Sequence, residues 1–191
     1  VFVALDFPDF NFRLLPVIHA ALAPLEELTI AEAGKHLIRL DIATPGRVFT
    51  EEERSLHKML FPQLSLVDFA QLLKAGRWVT IDPGTLVTEQ GKPVRDVLLV
   101  CDGAAAIEID GRPIRHTAGL EFLGEVSFLT HDVSSATVRF ATPMRCLAWP
   151  HDALRALLRE SLAIRFALRS VMSGDLARKL KESGPRTMGG P

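Results

Sequence analysis

The residues best suited to chemistry lie between Phe122 and Val138. One run reads Phe122-Leu123-Gly124-Glu125-Val126-Ser127-Phe128-Leu129, and a second reads Ser134-Ser135-Ala136-Thr137-Val138. Gly124 has no Cβ, so backbone can approach a ligand closely there. Glu125 opens a short helical turn whose first N–H groups lack intrahelical partners and suit an anion. Its carboxylate can also accept a hydrogen bond from a sugar hydroxyl. Ser135, just before the next strand, can donate to a phosphate oxygen. These groups suit holding a small molecule rather than breaking a bond. A plain Gly-Glu turn between two strands would use the same residues.

Rival chemistries find less support. The six histidines, His19, His36, His57, His116, His131 and His151, show no H-x-H or H-x-x-x-H spacing of the kind a cupin-like metal site would use. His36, His57 and His151 read as helix-surface residues. Glu108 and Asp110 read as solvated hairpin carboxylates. No Ser/His/Asp context and no phosphate-binding P-loop occur, so no catalytic residue, no metal ligand and no cofactor is assigned. Cys101 and Cys146 each sit in an apolar run and read as reduced core residues, which suits a cytoplasmic protein.

The 22 basic and 23 acidic side chains nearly cancel, leaving a formal net charge of −1. That balance argues against a nucleic-acid reader relying on a basic field. Apolar residues make up 48% and charged ones 24% of the 191 residues, enough to bury a core. The uncharged run from Leu14 to Leu25 contains Pro16, His19 and Pro24 and makes a poor membrane span.

The elements that must position the site follow from local signals. Residues 1–46, with four early phenylalanines and a helical pattern over 26–40, form an N-terminal appendage ending at Thr44-Pro45-Gly46. Thr50 with Glu53 is a capping box, and Leu56, Met59 and Leu60 give the helix it opens a buried stripe. Ser65 caps a second helix that buries Val67, Phe69, Leu72 and Leu73, with Gly76 placed to end it. Short strands follow at Arg77–Ile81, Leu86–Glu89, Val94–Cys101, Ala104–Ile109, Arg112–Thr117, Ser135–Phe140 and Met144–Trp149. Asp110-Gly111 is the strongest hairpin signal. Pro150 opens a helix over His151–Arg159, and Ser161 caps a last helix to about Lys181. Leu162, Phe166, Leu168, Val171, Met172, Leu176 and Leu180 give it an apolar side. Trp78 and Trp149 read as packing groups. Arg178, Lys179 and Lys181 read as a solvated helix end. Residues 182–191 form a flexible tail. The fold class is mainly β with flanking helices, a jelly roll with N-terminal helices and a long C-terminal helix.

In this context the segment resembles the phosphate-binding cassette of the cyclic nucleotide-binding domain. That family's cassette reads G-E-[LIV], a spacer, then R-[ST]-A-x-[VA]. Here it reads Gly124-Glu125-Val126, then Ser134-Ser135-Ala136-Thr137-Val138. The resemblance covers roughly residues 50–181 within a domain over 47–181. The stretches FTEEERSLHKMLFP, GRWVTIDPGT and CLAWP look most like a bacterial branch related to Popeye-domain proteins. It implies that Gly124 presents backbone to the ribose-phosphate and that Glu125 accepts the ribose 2′-hydroxyl. Val126 would offer its N–H to the phosphate, Ser135 a hydroxyl or backbone donor, and Ala136 room for the ligand. The base would lie toward Phe166 or Ser170. Cyclic AMP is the implied ligand and cyclic GMP the alternative.

The departure from the family is at Ser134, where its arginine falls. A charge-assisted hydrogen bond contributes about 1.5–3 kcal/mol, roughly one to two decades in affinity. Arg139 is five positions away, so strand alternation sends it to the opposite face. His131 reads as a solvated loop residue. Popeye proteins also lack the arginine and are credited with cyclic AMP binding, but their D-S-P-E motif is absent here. The leading expectation is a regulatory sensor that signals through its last helix. The alternative is a ligand-free roll acting in protein contacts or as a homodimer through that helix. A catabolite-activator-type DNA reader would need a further domain after Lys181. Members of the bacterial branch often carry membrane helices upstream, so tethering would come from a segment near or before residues 1–46.

Overall fold

The computed structural model of the protein describes residues 47–117 and 119–183. The N-terminal appendage, its 26–40 helix and most of the predicted tail lie outside them. The described chain begins with helices α1 (Glu51–Leu60) and α2 (Leu66–Ala75). Strands β1 (Arg77–Ile81), β2 (Leu86–Thr88), β3 (Asp96–Asp102), β4 (Ala105–Ile109), β5 (Arg112–His116) and β6 (Glu121–Leu123) follow. Then come α3 (Glu125–Thr130), β7 (Thr137–Phe140), β8 (Met144–Pro150), α4 (His151–Glu160) and α5 (Leu162–Ser183). The strands form two antiparallel sheets, ordered β1-β8-β3-β6 and β2-β7-β4-β5. This is the jelly-roll arrangement with helices before and after it.

The capping box on α1 is formed. Thr50 Oγ1 accepts from the Glu53 N–H at 3.2 Å, and Glu53 Oε2 accepts from the Thr50 N–H at 3.0 Å. Glu53 is buried as a result, with Arg47 at 2.8 Å, while Met59, expected in the buried stripe, is 58% exposed. Leu56 of that stripe is buried and Leu60 packs against the core, so the cap and the apolar period together turn this face of α1 inward. Ser65 caps α2 by accepting from the Asp68 N–H at 3.1 Å. Val67, expected to be buried on α2, is only partly covered. Gly76 ends α2 in extended backbone at φ −107° and ψ −178° rather than in a left-handed turn. A Cβ there would stand 2.8 Å from Trp149 Nε1, so the glycine is needed for space.

Alternation along the central strands builds two apolar clusters from one sheet. Val97 and Leu99 of β3, Phe122 of β6, and Leu147 and Trp149 of β8 face the helices, where Leu56, Phe69, Leu72, Ile164, Leu168 and Met172 meet them. Leu98 and Val100 of β3, Leu123 of β6, and Met144, Cys146 and Ala148 of β8 face the roll interior, with Ile107, Val138 and Phe140 from the other sheet. At about 25 cal/mol per Å² of apolar area, burial on both faces makes this sheet the main source of stability. The β4–β5 hairpin turns at Asp110 and Gly111 with φ of 52° and 72°, the left-handed pair that a two-residue turn requires.

Several boundaries differ from expectation. β3 begins at Asp96 and β7 at Thr137, so Ser135 and Ala136 lie in loop. β6, three residues long, carries too little alternation to read in advance. Pro150 is the cap residue before α4 and not its first turn. On α5, Ile164, Ala167, Leu168, Met172 and Leu176 are buried in the chain's own core, whereas Leu162 and Phe166 are only partly covered.

Candidate functional site

Gly124 closes β6 and caps α3 at φ 82°. A Cβ at this position would stand 2.7 Å from the Asp96 carbonyl oxygen and 3.1 Å from Val94 Cγ1. Both the dihedral and the space call for glycine. The close approach seen is to the segment entering β3, in addition to any approach to a ligand.

Glu125 begins α3 and is 4% exposed. Its Oε1 accepts from Lys179 Nζ at 2.8 Å. The same ammonium donates to Asp175 at 2.8 Å and to the Phe122 carbonyl. Asp175 Oδ2 also accepts from the Phe122 N–H at 3.0 Å. β6 is an edge strand, and Asp175 and Lys179 satisfy backbone groups that an edge leaves open. One residue earlier, wholly buried Glu121 accepts from both terminal nitrogens of Arg115, at 2.6 and 3.0 Å. Arg178 stands 3.6 Å from Glu121, 2.6 Å from Asp175 and 2.9 Å from Glu182.

Three carboxylates, Glu121, Glu125 and Asp175, thus interleave with Arg115, Arg178 and Lys179. Half of this cluster belongs to the roll and half to α5. Charges removed from water persist only when paired in this way. Burial pulls the Lys179 pKa down, but the carboxylates of Glu125 and Asp175 outweigh it, and the net shift is upward. The expected solvated helix end is therefore corrected at Lys179, whose side chain is 12% exposed, and at Arg178; Lys181 is exposed. In the sequence, the four-residue spacing of Asp175 and Lys179 is compatible with a pair along the helix. Nothing there linked them to Glu125, 54 positions away.

The second half of the cassette is held differently. Ser134 is buried, and its hydroxyl donates to the Ala136 carbonyl at 2.7 Å. Its N–H donates to the Lys92 carbonyl, and its carbonyl accepts from the Gly91 N–H. Ser135 is exposed, and Val126 and Ala136 are partly buried. Ser134 and Ala136 are joined directly, while Glu125 is tied to α5. Arg139 is exposed and donates to the Gly84 carbonyl at 3.1 Å, pointing away from the cassette as alternation predicted. His131 is exposed in the cassette loop, at φ 62°. Ser170 is exposed on α5.

A cleft of about 940 Å³ lies against the cassette loop, lined by Arg77, Arg95, His131, Asp132, His151 and Arg155 among others. Glu125, Ser134, Ser135 and Ala136 do not line it. His151, expected on a helix surface, has its Nε2 buried with no hydrogen-bond partner among the described residues and packs against Phe128 at 5.2 Å. Burial lowers its pKa, and the Arg155 charge adds to the shift. His57, also expected on a surface, meets the Leu64 carbonyl at 2.9 Å and the Phe69 ring at 4.9 Å.

Residues 78–161 match the family described as the cyclic nucleotide-binding domain. Over 125 residues the chain is 29% identical to a protein of Rhodopseudomonas palustris named as a candidate potassium channel, a match covering 63% of this chain. The chain spans 30% of that relative's length. Among solved structures it is similar to the catabolite activator protein of Thermus thermophilus, with TM-score 0.53 and 23% identity over 64% of this chain and 58% of that one. It is also similar to a protein of Geobacter metallireducens titled a cyclic nucleotide-binding protein, with TM-score 0.60 and 13% identity over 69% of this chain and 99% of that one. At these identities both structures are likenesses of fold.

Proposed function

We propose, from the premise that residues 78–161 form a cyclic nucleotide-binding domain, that this chain is a regulatory sensor for a cyclic nucleotide, with cyclic AMP favoured over cyclic GMP. The domain runs over 47–181. Gly124, Glu125 and Val126 hold the ribose-phosphate, Ser134 and Ser135 supply the remaining phosphate donors, and Ala136 leaves room for the ligand. The chain acts as a binding module and catalyses no reaction. Its output is movement of α5.

One observation carries this reading. Glu125, the residue that would accept the ribose hydroxyl, is in direct contact with Lys179 of α5. Any change at Glu125 is therefore felt by the last helix, which is what a two-state switch needs. The relative in Rhodopseudomonas palustris supports a further step, a sensor on the cytoplasmic side of a membrane protein. Among the described residues, no helix is long and apolar enough to cross a membrane, so tethering would come from another segment.

A specific observation favours the second reading, a ligand-free roll acting through protein contacts. The residue at the arginine position, Ser134, spends its hydroxyl on the Ala136 carbonyl. Titration calorimetry with cyclic AMP and then cyclic GMP separates the two. Saturable binding that Glu125→Ala abolishes supports the sensor. No heat and no thermal shift at millimolar nucleotide leaves the interaction module.

A further inference from the structure

We infer that Lys179 is a built-in plug of the nucleotide site, so that a ligand reaches Glu125 only by expelling the Lys179 ammonium and with it the end of α5. The inference rests on the sensor reading and adds a residue that sets affinity and a direction of movement.

If α5 withdraws, most of the charged side chains in the cluster keep a partner. Arg178 keeps Asp175 and Glu182, which ride on the same helix. Lys179 keeps Asp175, four residues before it. On the roll side, Glu121 keeps the two-pronged contact with Arg115. Glu125 differs from these groups. Its side chain has Lys179 as its partner among the described residues, and withdrawal leaves it a buried carboxylate with no donor.

A buried charge stranded without a partner is strongly unfavourable. The empty, opened state is therefore disfavoured. A ligand hydroxyl offered to Glu125 removes that penalty, because it supplies the donor that Lys179 took away. The ammonium and the ligand are thus alternative partners for one carboxylate, and occupancy by either excludes the other. A site that is filled by its own chain binds with an affinity reduced by the fraction of time it stands open.

The experiment compares wild type, Lys179→Met and Lys179→Gln by titration calorimetry with cyclic AMP and cyclic GMP. Amide hydrogen exchange over residues 175–183 is recorded with and without nucleotide. Lys179→Gln keeps an amide donor for the Phe122 carbonyl and serves if the methionine variant does not fold. The expected result is binding at least about tenfold tighter in the variants, since the plug no longer competes. In wild type, nucleotide should speed exchange at the end of α5, and in the variants this end should exchange fast already. Equal or weaker binding in both variants overturns the plug while leaving the sensor standing; weaker binding would make Lys179 a ligand contact. No binding by any of the three proteins removes the sensor reading, and the plug with it.

Discussion

The guanidinium of Arg155 lies 4.9 Å from the centre of the Phe128 ring, and its Nη2 donates to the Phe128 carbonyl at 3.2 Å. Phe128 belongs to the cassette helix α3 and Arg155 to α4. The contact ties α3 to the helices that follow the roll. Phe128 is buried, so Phe128→Ala should cost about 3–5 kcal/mol from lost burial and cavity formation. Arg155→Ala, at a partly exposed cation–π contact, should cost about 0.5–1 kcal/mol. Urea unfolding of the two variants measures the difference, and equal costs would mean that Phe128 is not a core residue.

Trp149 and Gly76 test the seam between α2 and β8. The Trp149 Nε1 donates to the Leu72 carbonyl at 2.8 Å, with the ring fully buried. Trp149→Phe leaves that carbonyl without its donor, which should cost about 1–3 kcal/mol beyond the lost volume. Gly76→Ala drives a Cβ to 2.8 Å from Nε1 and 3.0 Å from the Ala148 carbonyl oxygen. It should lower Tm in wild type and do so less when Trp149 is already Phe, a coupling that a double-mutant cycle reads directly.

The two thiols should be inert in the folded protein. Burial pushes Cys101 up to about 12 and Cys146 up to about 11. The thiolate is the reactive form, so very little is present at pH 8. Ellman's reagent should react slowly with native protein at pH 8 and promptly with both thiols once urea unfolds it. Prompt reaction of the native protein would show that strands β3 and β8 open readily.

Acid should destabilise the domain through His151. Its folded pKa lies below the unfolded value of about 6.5, because burial and Arg155 disfavour the charged ring. Asp96 and Asp152 oppose that shift without cancelling it. The unfolded chain then binds more protons below pH 6.5, so stability is full above that value and falls as pH drops through the folded pKa. The urea midpoint should decline between pH 7.5 and 5.5 in wild type and decline less in His151→Gln. The same slope in both would assign the acid sensitivity to other groups.

Much of the roll was legible because its signals are local. Thr50 with Glu53 and Ser65 with Asp68 are satisfied within one helical turn, so their spacing alone marks the helix starts. Asp110-Gly111 carries its turn in its own dihedral preferences. β3 and β8 announce themselves by length and by alternation between two apolar faces. Gly124 and Glu125 stood out because a glycine followed by an acid at a strand-to-helix junction is itself a local pattern.

What surrounds Glu125 was decided by tertiary structure. Lys179, read by itself, is one more cation near a helix end, where solvation is the ordinary outcome. It is buried because α5 crosses an edge strand whose Phe122 backbone groups need partners, and because Glu121 and Glu125 lie beside that crossing. The same holds for Glu53, buried by its cap, and for His151, a half-buried residue whose ring packs against Phe128 of α3. The sequence by itself determined most of the strands and the turns, since each rests on residues a few positions apart, while the three-residue β6 escaped it. The state of the site was left to the fold, because a buried charge takes its meaning from partners that only folding brings within 3 Å.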